Sequence, residues 1–375
     1  MKSAIVLATV GALAACGPRI PDTLTIAVAQ PLSGPQANRG KDLLDGAKLA
    51  VDELNKSGFK IAGKPVTLEL VSIDDKADIA TAKQVAHELV DRKVLAVIGH
   101  LSSEITAGTI PIYKQGDVVQ MFTSSAAELT KLGDGNTFRL VPNDTMQAKA
   151  LAGFAVEGLH AKSVALIHED TIAGNPIKND FTAHLAKSKA TLAVLESVDT
   201  KTTDFTAFVA KLKAARPDVV VAAFREHQAL SLMSQMRAAG LSEMPVIVAS
   251  PAKTSKVAQA PADVAKLYST ISTPEPREFG GGAEFLSKFR AAYNADPVWA
   301  AHYAYDAVHV LAQTLLANGN ADKEALRAKL RTIDAIAPVT GVMRFDANGE
   351  PRYGAITVYE RGNGNWLPLM RSDRW

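Results

Sequence analysis

The chain has 375 residues, 41 Lys and Arg against 39 Asp and Glu for a formal charge of +2, and a composition 47% hydrophobic and 21% charged. A balance so near neutrality argues against nucleic acid as a partner, because phosphate neutralisation needs clustered Lys and Arg, and a single cysteine excludes a disulfide framework. Enough chain remains to bury its own core without staples, with two domains as the natural division.

In chain order, the first feature is an address. Lys2, an apolar run from Ile5 to Leu13 and then Leu13-Ala14-Ala15-Cys16 have the form of a lipoprotein export signal. The run is too short for a spanning helix, and small residues before the cysteine suit a signal peptidase. Residues 1–15 are thus read as the signal peptide, Cys16 as the lipidated residue and residues 16–21 as a tether. Acyl chains on Cys16 would hold the body at a membrane in the periplasm or cell envelope. Nothing after Cys16 is apolar enough to span a bilayer.

Strand and helix patterns then alternate, which predicts parallel sheets covered on both faces. Leu24 to Val28 reads as a strand and Gly40 to Asn55 as a helix, with Leu43, Leu44, Ala47, Val51 and Leu54 on one face. Strands follow at Val66 to Leu70, Val94 to Ile98 and Val118 to Thr123, with helices containing Ile79 to Val90 and starting near Ser103. The same grammar restarts after Val141-Pro142-Asn143-Asp144. Strands are predicted at Val164 to Ile167, Leu192 to Val198, Val219 to Phe224 and Val246 to Val248, separated by helices at Asn175 to Ser188, Phe205 to Ala215 and Gln228 to Ala239. The run Val219 to Phe224 is apolar throughout, as a strand buried on both faces must be. Helices at Ala283 to Asn294, Ala300 to Asn318 and Lys323 to Ile333, with strands at Gly341 to Phe345 and Ala355 to Tyr359, are too few for a third domain and return to the first two.

Ligands of open α/β sheets bind outside the carboxyl ends of the strands, against helix amino termini. Two turns there are rich in hydroxyls. Ser102 and Ser103 follow the strand ending at Ile98, and Ser124 and Ser125 follow the one ending near Phe122. Such residues cap helices, and together they can also hold a carboxylate. No Walker loop, Gly-x-Gly-x-x-Gly after a strand or nucleophile elbow is present, the eight histidines have no metal-ligand spacing, and no catalytic constellation assembles. The reading is a binding protein rather than an enzyme, with neither metal nor cofactor.

Several segments in fixed order carry a resemblance: Ala29-Gln30-Pro31-Leu32-Ser33-Gly34-Pro35, Asp45 to Asn55, Asp74-Asp75, Val97 to Ser103, Glu128-Leu129-Thr130 and Phe138 to Asp144. Over nearly the whole mature length the chain resembles the type I periplasmic solute-binding proteins, in their leucine/isoleucine/valine-binding branch. The resemblance implies two doubly wound, Rossmann-like α/β lobes joined by three crossovers, near 141–144, 270–274 and 345–350. The first lobe would take 22–142 and 272–346, the second 143–271 and 347–375. It also implies capture of a small amino acid, related carboxylate or amide in the interlobe cleft by hinge closure, for delivery to an ABC permease. A regulatory lipoprotein of the same fold, acting on a periplasmic enzyme, is the alternative.

Site roles come by the same route. The family's carboxylate site maps onto Ser103, Ser124 and Ser125, with Ser102 adjoining. The opposite lobe usually supplies aromatics near Ala173 and at Phe224, and an acid near Ala252 that pairs with the ligand ammonium. Two of these positions depart from the pattern, being Ala173 and Ala252. Either Glu226 or Asp170 then pairs with the ammonium, or the ligand has none, because a buried unpaired ammonium is costly.

Overall fold

The structure, a computed structural model, describes residues 20–171, 174–261, 263–352 and 354–372. The signal peptide, Cys16 and Ala173 lie outside the described residues. No helix among the described residues is long and apolar enough to cross a membrane.

The first sheet has five strands, β1 (Thr23–Gln30), β2 (Thr67–Asp74), β3 (Ala96–Ile98), β4 (Val119–Phe122) and β5 (Thr137–Arg139). They run parallel in the order β2-β1-β3-β4-β5. The second sheet comprises β6 (Ser163–Glu169), β7 (Thr191–Val198), β8 (Val219–Ala223), β9 (Val246–Val248), β10 (Leu267–Ile271), β11 (Thr357–Gly362) and β12 (Asn365–Arg371). Its order is β12-β11-β10-β9-β8-β6-β7. Strands β6 to β10 are parallel and repeat the order of the first sheet, and β11 and β12 extend it as an antiparallel hairpin. The repeat is one of topology without a residue-level repeat behind it.

The chain passes between the two lobes three times. It leaves the first sheet after Arg139, leaves the second after Ile271 to build helices Gly282–Tyr293 and Ala301–Asn318, and returns to the second through the segment before Thr357. Helix Ala301–Asn318 packs on helix Ala37–Lys56 in the first core, where Leu43, Ala47, Ala304, Val308 and Leu311 are buried together. Gly46 permits this approach, since a Cβ there would sit 1.9 Å from the carbonyl oxygen of Ala301. The second core takes both faces of its sheet, with Val220 and Ala222 on one side and Val219 and Val221 on the other. That is the double burial expected of the continuous apolar run.

Three strands of the two main sheets escape sequence reading. β5 is three residues long and contains an arginine, while β10 and β12 mix apolar with polar residues. The helix that follows the first crossover is α-helical over Asp144–Gly153 and finishes as a π-helical turn, Phe154–Gly158.

His302 is fully buried on its helix among Phe279, Phe285 and Tyr303. Burial pushes its pKa down to about 3. The unfolded chain takes up a proton near pH 6.5 that the folded imidazole refuses, so this residue's stabilising contribution is complete above pH 6.5 and is lost as pH falls towards 3. Acidification from pH 7 to 5 should therefore cost about 2 kcal/mol through His302. Asp306, raised to about 6 by burial, opposes it below pH 6. Urea unfolding of His302→Phe beside the parent at both pH values isolates the histidine: the stability lost on acidification should be smaller in the variant, and an equal loss would refute the assignment.

Candidate functional site

Both sheets reverse strand order between their first and third strands, and the carboxyl ends of the strands face the space between the lobes. A cavity of about 480 Å³ opens there. The first lobe lines it with the turns after β1 (Gln36 and Arg39), β3 (Leu101, Ser102 and Ser103) and β4 (Thr123, Ser124 and Ser125). The second lobe contributes Ile177, the turn after β9 (Ser250, Pro251 and Lys253) and the end of β10 (Ile271, Ser272 and Thr273). Asp144, Gln147, Glu275, Val298 and Trp299 complete the wall near the crossovers.

The four serines come together, each in a different state. Ser102 caps helix Ser103–Gln115, its Oγ accepting from Ile105 N at 3.4 Å. Ser103 Oγ accepts from Ala126 N at 3.2 Å, tying the first turn to the second. Ser124 turns inward: its hydroxyl lies 2.6 Å from Thr106 Oγ1 and donates to the carbonyl of His100 at 3.0 Å. Ser125 hydrogen bonds through its side chain to the buried carboxyl of Asp144. Burial raises the Asp144 pKa, against this bond and the nearby Arg139.

Behind the turns, His100 is fully buried, with Nδ1 2.7 Å from Asp75 Oδ2 and Nε2 3.2 Å from the Tyr113 hydroxyl. This imidazole packs and braces, holding the carbonyl on which Ser124 and Thr106 converge. Networks of this kind in a dry interior fix geometry.

The second-lobe candidates lie elsewhere. Phe224 is stacked on Phe205 in the lobe's core, with ring centroids 5.6 Å apart, because the strand that precedes it is buried on both faces. Glu226 faces Lys256 at 3.2 Å and bonds Thr254, which lowers its pKa. Asp170 Oδ1 accepts from Asn175 Nδ2 at 2.8 Å. None of the three lines the cavity. Lys253, one position after Ala252, does line it. Its side chain is 8% exposed, with Nζ 3.7 Å from Glu275 and 3.7 Å from the centroid of the Tyr359 ring. Burial lowers its pKa, and Glu275 and Glu278 push back.

Sequence reasoning missed Arg39, Lys253 and Trp299. Arg39 sits one turn into helix Ala37–Lys56 with its guanidinium 5.2 Å from the Trp299 ring centroid. The only sequence signal for it is its place directly after the Pro31 to Pro35 turn. Trp299 comes from a segment more than 250 residues away, which no local pattern links to β1.

A second cavity, of about 330 Å³, lies behind the crossovers and is lined by Arg344, Arg352 and Arg371. These side chains are engaged by the protein itself: Arg344 with Asp334, Arg352 with the carbonyl of Phe345, and Arg371 with that of Glu278. No group of three or more His, Cys, Asp or Glu able to hold a metal occurs among the described residues.

Twin parallel lobes facing each other across a cleft of hydroxyls and cations define a type I solute-binding protein, and its relatives are binders rather than enzymes. A family model described as periplasmic binding protein matches residues 23–363, and the chain belongs to that family. It is similar to the leucine-, isoleucine-, valine-, threonine- and alanine-binding protein of Pseudomonas aeruginosa, 29% identical over 344 residues and 90% of each chain. The crystal structure of the branched-chain amino acid transporter substrate binding protein LivJ from Streptococcus pneumoniae, in complex with isoleucine, shares 27% identity and a TM-score of 0.74, covering 92% of this chain and 100% of that one. A solute binding protein of an ABC transporter from R. palustris, in complex with benzoate, shares the fold at 19% identity and a TM-score of 0.73, covering 93% of this chain and 96% of that one.

Proposed function

We propose that this chain is the extracytoplasmic solute-binding lipoprotein of an ABC importer, capturing a small amino acid or related carboxylate between its lobes and delivering it to a membrane permease. The observation that carries the reading is the cleft, where the turn bearing Ser102 and Ser103 and the turn bearing Ser124 and Ser125 meet on one wall. Hydroxyls and helix-start N–H groups offer an anion several donors without burying a second full charge. Relatives that bind branched-chain amino acids, and a fold neighbour that holds benzoate, all carry a carboxylate ligand. In this reading Cys16 bears the lipid anchor, the first lobe comprises 22–142 with 272–346, the second 143–271 with 347–375, and the cleft closes by a hinge at the crossovers.

Native mass spectrometry of freshly purified protein tests the reading by detecting a retained small acid. Ser103→Ala should weaken that acid's binding by about 1–3 kcal/mol, the cost of leaving a buried acceptor unpaired. Calorimetry checks it, and an unchanged affinity would remove Ser103 from the site. Cys16→Ser should release the protein from the membrane fraction or leave its precursor uncleaved.

A further inference from the structure

The charges that line the cleft balance in a way that selects the ligand. Two acids face it, and both are already committed. Glu275 places Oε1 3.7 Å from Lys253 Nζ and Oε2 3.0 Å from Arg277 Nε, so two cations share one carboxylate. Asp144 is 7% exposed, bonded to the Ser125 side chain, and lies in the field of Arg139. Neither is left to meet an incoming ammonium. Glu226, paired with Lys256, and Asp170, bonded to Asn175, do not line the cavity.

The cations tell the opposite story. Lys253 has Glu275 and the Tyr359 ring. The Arg39 guanidinium has no ion pair or hydrogen bond with any described residue, only the face of Trp299 at 5.2 Å. An arginine over an indole keeps its hydrogen-bond fork free in the plane of the guanidinium, and that fork matches a carboxylate.

The platform beneath it is fixed. Three residues along the same helix, Asp42 accepts the backbone N–H groups of Val298, Trp299, Ala300 and Ala301 at 2.6–3.1 Å. One helix therefore supplies the free cation and locks the loop that carries the aromatic wall. Leu101, Ile177, Ile271 and Val298 add apolar surface beside Trp299 to a wall that elsewhere carries Gln36, Thr123, Gln147, Ser250, Ser272 and Thr273.

We propose that the ligand is a carboxylic acid without an amino group, its carboxylate held between Arg39 and the serine turns and its apolar or aromatic body laid against Trp299. The inference deepens the solute-binding reading and rests on it. An α-amino acid would bring an ammonium into a cleft with no uncommitted acid to receive it and a free guanidinium to repel it, and desolvating such a charge unpaired is costly.

Matched pairs that differ only in the amine provide the test: 4-methylpentanoate against leucine, and 3-phenylpropanoate against phenylalanine, titrated calorimetrically into the intact mature protein. The amine-free acid should bind at least tenfold more tightly in at least one pair, and Arg39→Gln should weaken it at least tenfold and flatten its salt dependence. Arg39 is exposed, so the variant should keep the parent's melting temperature, measured alongside. Tighter binding of leucine or phenylalanine than of its partner, or an Arg39→Gln variant of unchanged affinity, overturns the inference while leaving a solute binder in place. Failure of all four probes, with no retained small acid in native mass spectra, overturns both readings.

Discussion

Arg139→Met should destabilise the protein by about 3–5 kcal/mol, the cost of leaving one partner of a buried ion pair uncompensated. Arg139 has no exposed side-chain surface and ends a three-residue strand at the edge of the first sheet. Its Nε lies 3.1 Å from both carboxylate oxygens of Glu350, and a second guanidinium nitrogen reaches Oε1 at 3.0 Å. The same fork donates to the carbonyls of Ser124 and of Ala126, the turn that faces the ligand. Glu350 also accepts from Thr130 at 2.7 Å and from Asn143, at the first crossover, at 3.1 Å. Two crossovers and the binding turn are thus pinned through one guanidinium. Arg139→Met with Glu350→Leu should recover at least about 1 kcal/mol over the single variant, because replacing both charges with apolar groups removes the stranded carboxylate. Recovery stays incomplete, since the two carbonyls still lack their donor. Urea unfolding of the three proteins decides it: a double variant no more stable than Arg139→Met would show that the ion pair is not the source of the cost.

Sequence and structure part company at places of this kind. The alternating elements were legible because each buries a periodic apolar face, as Leu43, Ala47 and Val51 do on the first long helix, and because β8 is apolar from Val219 to Ala223. The serine turns were legible because a ligand site in this architecture has to follow a strand. What local pattern could not give is pairing across the chain. Arg139 in a strand makes no sense until Glu350, 211 residues on, is brought beside it. The family resemblance implies a cleft role for Phe224, and its ring instead completes the core against Phe205. The cations of the cleft escaped for a related reason: Arg39 and Lys253 lie on helix-start and turn segments where exposed charge is ordinary, and only the folded geometry closes them around one cavity.

Asp42→Ala should cost about 3 kcal/mol or more and should also weaken ligand binding in the molecules that remain folded. Helix Ala301–Asn318 begins without a capping side chain of its own, since its N-cap residue is Ala300. The first N–H groups of a helix need acceptors, and in a buried setting water cannot serve. Asp42, 4% exposed on the neighbouring helix, supplies them: its carboxylate accepts four consecutive backbone N–H groups, and its charge opposes the positive end of the helix dipole. Burial pushes the Asp42 pKa up while these four bonds pull it down. Alanine leaves four buried donors stranded, each worth about 1–3 kcal/mol and together less than their sum because the segment can shift. That shift is what reaches the site, because the segment carries Val298 and Trp299 into the cleft. Asp42→Asn keeps an acceptor and nearly the same shape, so it should lose less stability than Asp42→Ala. Urea unfolding gives the stability differences, and calorimetry with whichever acid the parent binds, below the variant's melting temperature, gives the affinity. An Asp42→Ala protein within about 1 kcal/mol of the parent would mean that the segment finds other acceptors. Full ligand affinity in a clearly destabilised variant would detach Trp299 from the site.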